Sequence, residues 1–199
     1  MPFKVFTSTT HSAADVNDYL MEQANIVVTS ATRPTGQEGM QIGETDTNKK
    51  YVHDGSGWGL DGGFGFSTFT PTWTNLSIGN GSQTGYYRYS AGKLDVYIDL
   101  TFGSTTSISG GVTVLLPNSE TMYSTAIGVR QPFGLCEFYD DSGALGYEGV
   151  VRYNSSTSVA LLVRNASATY VTSGGLSSTV PFTWAVNDVL QVTYSVPVN

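Results

Sequence analysis

The nine residues Leu94-Asp-Val-Tyr-Ile-Asp-Leu-Thr-Phe102 alternate without a break between apolar and polar or amphipathic side chains. Successive side chains of a strand point to opposite faces. Leu94, Val96, Ile98, Leu100 and Phe102 therefore share one face, and Asp95, Tyr97, Asp99 and Thr101 the other. On a helix this period would scatter the apolar residues around the whole circumference. The run predicts a half-buried strand, and hence a sheet with one face to cover.

Further strands are expected at 73–78, 84–90, 111–116, 122–131, 133–139, 147–153, 158–164, 180–185 and 189–196. Asn80-Gly81 and Ala91-Gly92 suit tight hairpins, and Asp140-Asp-Ser-Gly143 a longer one. Tyr87 and Tyr89 fall on one face of their strand and Tyr86 on the other. Eight to ten strands at this spacing, with no helix between them, predict a mainly β fold: an antiparallel β-sandwich or jelly roll over 69–199. Composition agrees, because only 13% of the residues are charged, against about 25% in an ordinary domain, and 23 are glycine.

The first third reads differently. Residues 12–24 predict a short helix with Ser12 as N-cap and Asp15 three residues on. A helix of about 13 residues is marginal alone, so its stripe of Val16, Tyr19 and Leu20 needs a surface to pack on. Ile26–Ser30 reads as a strand, and 38–58 as a hairpin turned by Thr45-Asp-Thr-Asn48 and ended by Asp54-Gly-Ser-Gly57 before Trp58. Residues 1–60 are expected to form an anchor and oligomerisation module, with Val16, Tyr19, Leu20 and Trp58 as its contacts, joined by a Gly-rich linker at 61–68 to the sandwich.

Charge and residue counts exclude several functions. The net charge is −7 with nine Lys and Arg in all, too few for a phosphate-binding surface or an anionic membrane. No apolar run reaches the ~18 residues of a membrane-spanning helix. The opening residues lack the apolar stretch of a signal peptide, so synthesis in a cytoplasm is expected. The lone Cys136 sits in an apolar run and reads as a small core residue, with no internal disulfide partner. His11 and His53 stand 42 residues apart with no nucleophile motif beside them, so neither a hydrolase nor a zinc site is expected. Asp140-Asp-Ser-Gly143 is the densest acidic loop, but it lacks the spaced oxygen ligands of a calcium loop and reads as a solvated turn. No enzyme activity, metal or cofactor is expected.

Twelve tyrosines remain. Tyrosine pairs a flat apolar body with a polar tip, which suits exposed contact surfaces, and loops on a rigid sandwich commonly carry binding. Tyr139, Asp140, Asp141 and Tyr147 flank the acidic loop and are the expected surface contacts, for example with a glycan.

Ala14-Asp-Val-Asn-Asp-Tyr-Leu-Met21, Val27-Val-Thr-Ser-Ala-Thr-Arg-Pro34 and the hairpin from Glu38 to Trp58 follow one another in an order that resembles an N-terminal module of tail-associated and fibre-like proteins of phages infecting Actinobacteria. Thr70-Pro-Thr-Trp73, Gly85-Tyr-Tyr-Arg-Tyr89, Leu115-Leu-Pro117 and Val186-Asn-Asp-Val-Leu-Gln-Val-Thr-Tyr194 are similar in pattern to phage fibre knobs and to jelly rolls of the tumour-necrosis-factor type. The resemblance implies a virion structural protein: a tail fibre or receptor-binding knob, or alternatively a capsid decoration or head-fibre protein. It also implies a homotrimer, contacts with other virion proteins through 1–60, and a host cell-wall glycan as ligand.

Overall fold

Short strands separated by tight turns build the first of two units. In the computed structural model, which describes residues 26–198 apart from 64, 124, 126, 129 and 168, the chain divides into Met1–Phe64 and Gly65–Asn199. The helix expected at 12–24, with Val16, Tyr19 and Leu20, lies outside the described residues.

In the first unit, β1 (Ile26–Val28) runs parallel to β2 (Gln41–Glu44). Strand β3 (Lys49–His53) pairs antiparallel with β2 and with β4 (Trp58–Gly63). Among the described residues of this unit, the buried apolar side chains are Met40 and Ile42. Polar contacts supply the rest. Glu44 is fully buried, and its carboxylate accepts hydrogen bonds from Arg33 Nε at 2.7 Å and Thr47 Oγ1 at 2.7 Å. The Arg33 guanidinium also lies over the Tyr51 ring, 4.3 Å from its centroid. Asp46 takes the Ser30 N–H at 2.9 Å and the Ser30 hydroxyl at 2.6 Å.

The linker expected at 61–68 is largely strand. Asp61, Gly62 and Gly63 close β4, and Ser67 and Thr68 open β5 (Ser67–Phe69). Glycine weakens a strand but leaves its backbone free to pair, and Gly62 and Gly63 stand opposite Lys50 and Lys49.

The second unit continues with β6 (Trp73–Ser77), β7 (Ser82–Ser90), β8 (Lys93–Thr101), β9 (Ser107–Leu115), β10 (Pro132–Asp140), β11 (Leu145–Ser155), β12 (Ser158–Asn165), β13 (Thr172–Gly175) and β14 (Val189–Pro197). They pair in the order β7-β8-β14-β10-β11-β12-β9-β6, with β5 also on β7 and β13 also on β12. The strand pairs described within this unit are all antiparallel. Among the described residues no helix exceeds three residues, so the molecule is mainly β with a large sheet.

The alternation read at Leu94–Phe102 is realised: Leu94, Val96, Ile98, Leu100 and Phe102 are buried, and Leu190, Val192, Tyr194 and Val196 of β14 stand beside them. Tyr87 and Tyr89 are buried and Tyr86 is exposed, as the period predicts. Trp73 of β6 donates its indole N–H to Gln83 of β7 at 2.7 Å, so strands from the two ends of the pairing order meet.

Three strand expectations need correction. None of the described residues of 122–131 belongs to a strand; Met122 makes an isolated bridge to Val198, and a turn brings the Gln131 N–H to the Gly128 carbonyl. Residues 180–185 form no strand: Val180 makes only an isolated bridge to Ser177, and the Phe182 and Trp184 rings dock on the core. Asn80-Gly81 turns the chain, with Gly81 N–H on the Ile78 carbonyl, but joins β6 to β7, which pair with other strands. Asn80 instead clamps the 103–106 loop by accepting from the Thr105 N–H and hydroxyl. Ala91-Gly92 does close a tight hairpin, with left-handed φ values of 49° and 72°.

Candidate functional site

The β10–β11 hairpin ends where the sequence places it, with Asp140 opposite Leu145. Its acidic residues are engaged locally. The Asp140 carboxylate accepts from the Gly143 N–H at 2.9 Å and the Ser142 hydroxyl at 2.8 Å, and these bonds hold its pKa below the ordinary carboxylate value. Asp141 is exposed, and its backbone N–H donates to buried Asp188 at 3.0 Å. Asp188 accepts the Ala185 N–H as well, and its carbonyl takes the Phe102 N–H at 2.8 Å. This explains Val186-Asn-Asp-Val: one buried carboxylate pins the entry of β14 to the hairpin tip.

The two tyrosines flanking this loop lie on opposite faces. Tyr139 stands opposite Gly146 on the outer face and is 37% exposed. Tyr147 stands opposite buried Phe138 on the core side, its ring 5.2 Å from Phe182. From Phe182 the rings continue to Trp184 at 4.6 Å, which stacks on Phe102 at 4.3 Å. Tyr147 thus ends an aromatic ladder leading out of the core. The four expected contacts do not form one surface. In the first unit Trp58 is half-buried against its own chain, its indole N–H on the Pro34 carbonyl at 3.3 Å and its ring against His53.

The outer face of the sheet carries a larger feature that the sequence reading missed. A groove of about 760 Å³ runs over β8, β14, β10 and β11 to Arg164 on β12. Its origin is a contrast of side-chain size: Gly146, Thr193 and Ser195 are small, whereas Tyr97, Leu135 and Glu137 stand above them. The cross-strand register aligns the walls. Leu135 of β10, Thr193 of β14 and Tyr97 of β8 form one row, extended by Tyr86 of β7. Leu135 is 60% exposed and Tyr97 39%, and Phe66 meets Tyr97 edge to face at 5.5 Å.

The next row is polar. Glu148, Glu137, Gln191 and Asp99 lie side by side on β11, β10, β14 and β8. Gln191 donates to Asp99 at 2.9 Å, and Glu148 faces Arg164 at 3.5 Å. On the other flank Arg88 and Asp95 pair at 3.0 Å.

A smaller hollow of about 520 Å³ lies beside Pro117. Asn118 and Ser119 there adopt left-handed φ values of 55° and 57°, and Asn118 donates to the Tyr87 hydroxyl at 2.6 Å. Behind it, Tyr89 donates to Glu120 at 2.6 Å, and burial followed by this bond raises the Tyr89 pKa. Cys136 is buried and burial pushes its thiol up to about 12, so it offers no nucleophile near neutral pH. Among the described residues no group of three or more His, Cys, Asp or Glu side chains is placed to hold a metal, and no helix is long and apolar enough to cross a membrane.

Compared with known proteins, the chain matches no family model, no curated protein and no solved structure.

Proposed function

We propose that this chain is a structural protein of a bacteriophage virion, a tail-associated fibre or receptor-binding knob that contacts the host surface without catalysing a reaction. Residues 1–60 anchor it to other virion proteins and help it form a homotrimer. Residues 69–199 form a β-sandwich of jelly-roll type, and no cofactor or metal takes part.

The observation that carries this reading is the outer-face groove. A rigid antiparallel sheet presents half-exposed Tyr97 and exposed Leu135 beside a row of carboxylate and amide side chains. Such a mixture of apolar bodies and convergent polar groups is what ligand sites use, and the groove falls within their usual range of about 300–1,000 Å³. The ordered pieces of the N-terminal third, which resemble modules of actinobacteriophage tail proteins, support the assignment to a particle. The sandwich is supported by the period-two burial of β8 and β14 and by the Trp73–Gln83 hydrogen bond.

The reading is tested by incubating fluorescently labelled full-length protein with actinobacterial cells. Saturable binding to at least one strain, competed by unlabelled protein, is expected. Binding that stays linear with concentration on every strain contradicts it.

A further inference from the structure

The outer-face groove carries a chemical preference of its own. Glu137 and Glu148 stand directly opposite each other in the β10–β11 register. Like charges in this position destabilise a sheet, and Arg164 addresses Glu148 alone. Asp99 extends the acidic row two strands further, held by Gln191. Arg164 is the one cation among the described lining residues, and it already faces a carboxylate. The row is therefore rich in acceptors and holds no free positive charge for an anionic ligand. The neighbouring row is apolar, with Tyr97, backed edge-on by Phe66, and Leu135.

We propose that this groove binds an uncharged hexopyranose unit of a glycan and rejects anionic polymers. The inference rests on the host-contact reading above and gives that contact its ligand class. A pyranose ring has an apolar face of C–H groups and a rim of hydroxyl donors. Its apolar face lies on Tyr97 and Leu135, and its hydroxyls donate to Glu137 and the side-chain amide oxygen of Gln191. Hydroxyl donors placed between Glu137 and Glu148 also ease their repulsion, a gain that a phosphate or uronate would reverse. The Asp140–Asp141 turn plays no part, because Asp140 is occupied by its own loop.

The test uses the full chain on an array of neutral oligosaccharides of glucose, galactose and mannose, with galacturonic acid oligomers beside them. Saturable binding to at least one neutral sugar is expected, with none to the uronates. Tyr97→Ala should weaken that binding about tenfold, the upper range of an aromatic contact. Glu137→Gln preserves shape and removes charge, so it guards against a folding artefact. It should weaken neutral binding several-fold and relax the exclusion of uronates, while Tyr139→Ala leaves both unchanged. No neutral sugar bound, a preference for uronates, or binding that survives both Tyr97→Ala and Glu137→Gln would overturn the proposal. If the protein still saturates actinobacterial cells in any of those cases, the host-contact reading stands and the glycan inference alone falls. If cell binding is absent too, both fall.

Discussion

The described parts of the two units are held together with different emphasis. The second buries a continuous set of apolar side chains, with Leu94, Val96, Leu100, Phe138, Leu190 and Val196 at or near zero exposure. Among its described residues, the first buries Met40 and Ile42 and sets carboxylates into donors: Glu44 under Arg33, Asp46 on Ser30, Asp54 on the turn that follows it. Apolar burial is non-directional and grows with area, so the large sheet tolerates outward variation on its solvent face. Hydrogen-bonded carboxylates are directional and depend on pH. The comparison teaches that the described geometry of the first unit is specified by a few named polar contacts, whereas the core of the second leaves its outer face free to carry a groove.

The largest effect should come from Phe138→Ala. Its ring is fully buried and meets Trp184 edge to face. Such a deletion costs about 3–5 kcal/mol. Urea unfolding followed by Trp184 emission, in a background with the other tryptophans replaced by phenylalanine, should show that loss. A cost near 1 kcal/mol would mean the core is not the support of this unit. In the first unit, Arg33→Met leaves the Glu44 carboxylate buried and short of its ion partner. Breaking a buried pair costs about 3–5 kcal/mol, and the part-exposed Arg33 places this one near the lower end. The double variant Arg33→Met with Glu44→Leu should recover most of the loss, read from Trp58 emission. Equal losses in single and double variants would show that packing, not charge, holds the first unit.

A smaller gain is expected from Ala91→Gly at the β7–β8 turn, where φ is 49°. Relief of a left-handed non-glycine residue stabilises by about 1 kcal/mol. A midpoint that falls instead would show that the turn is not strained. The smallest effect is a pH response confined to the first unit's turn. The Ser56 and Gly57 N–H groups, with the Ser56 hydroxyl, lower the Asp54 pKa from 3.8 to about 2. The folded pKa is thus depressed, so its contribution is fully present above the unfolded value and is lost as pH falls through the folded one. Amide resonances of Ser56 and Gly57 should move between pH 4 and pH 2, and Asp54→Asn should abolish that response. Titration at the ordinary carboxylate value would contradict the hydrogen bonds.

How much of this was legible depended on whether a residue's role was local. Leu94–Phe102 could be read because a half-buried strand writes its period directly into sequence, and the turns at Asn48, Ala91 and Asp140 because their residues favour those backbones. Thr172–Gly175 could not be read: it pairs at an edge with every side chain exposed, so no period marks it. Residues 180–185 misled because Phe182 and Trp184 are apolar for ring stacking, not for strand pairing. The groove was invisible for a topological reason. Asp99 and Gln191 meet 92 positions apart, only because β14 inserts between β8 and β10. Tyr139 and Tyr147 looked like one surface until the register set them on opposite faces.

The central claim, a virion knob turned toward the host, is tested most directly by immunogold electron microscopy of intact virions with antibody raised against residues 69–199. Gold clustered at the tail end is the predicted result. Gold spread over the head, or particles left unlabelled while purified protein reacts, would contradict it.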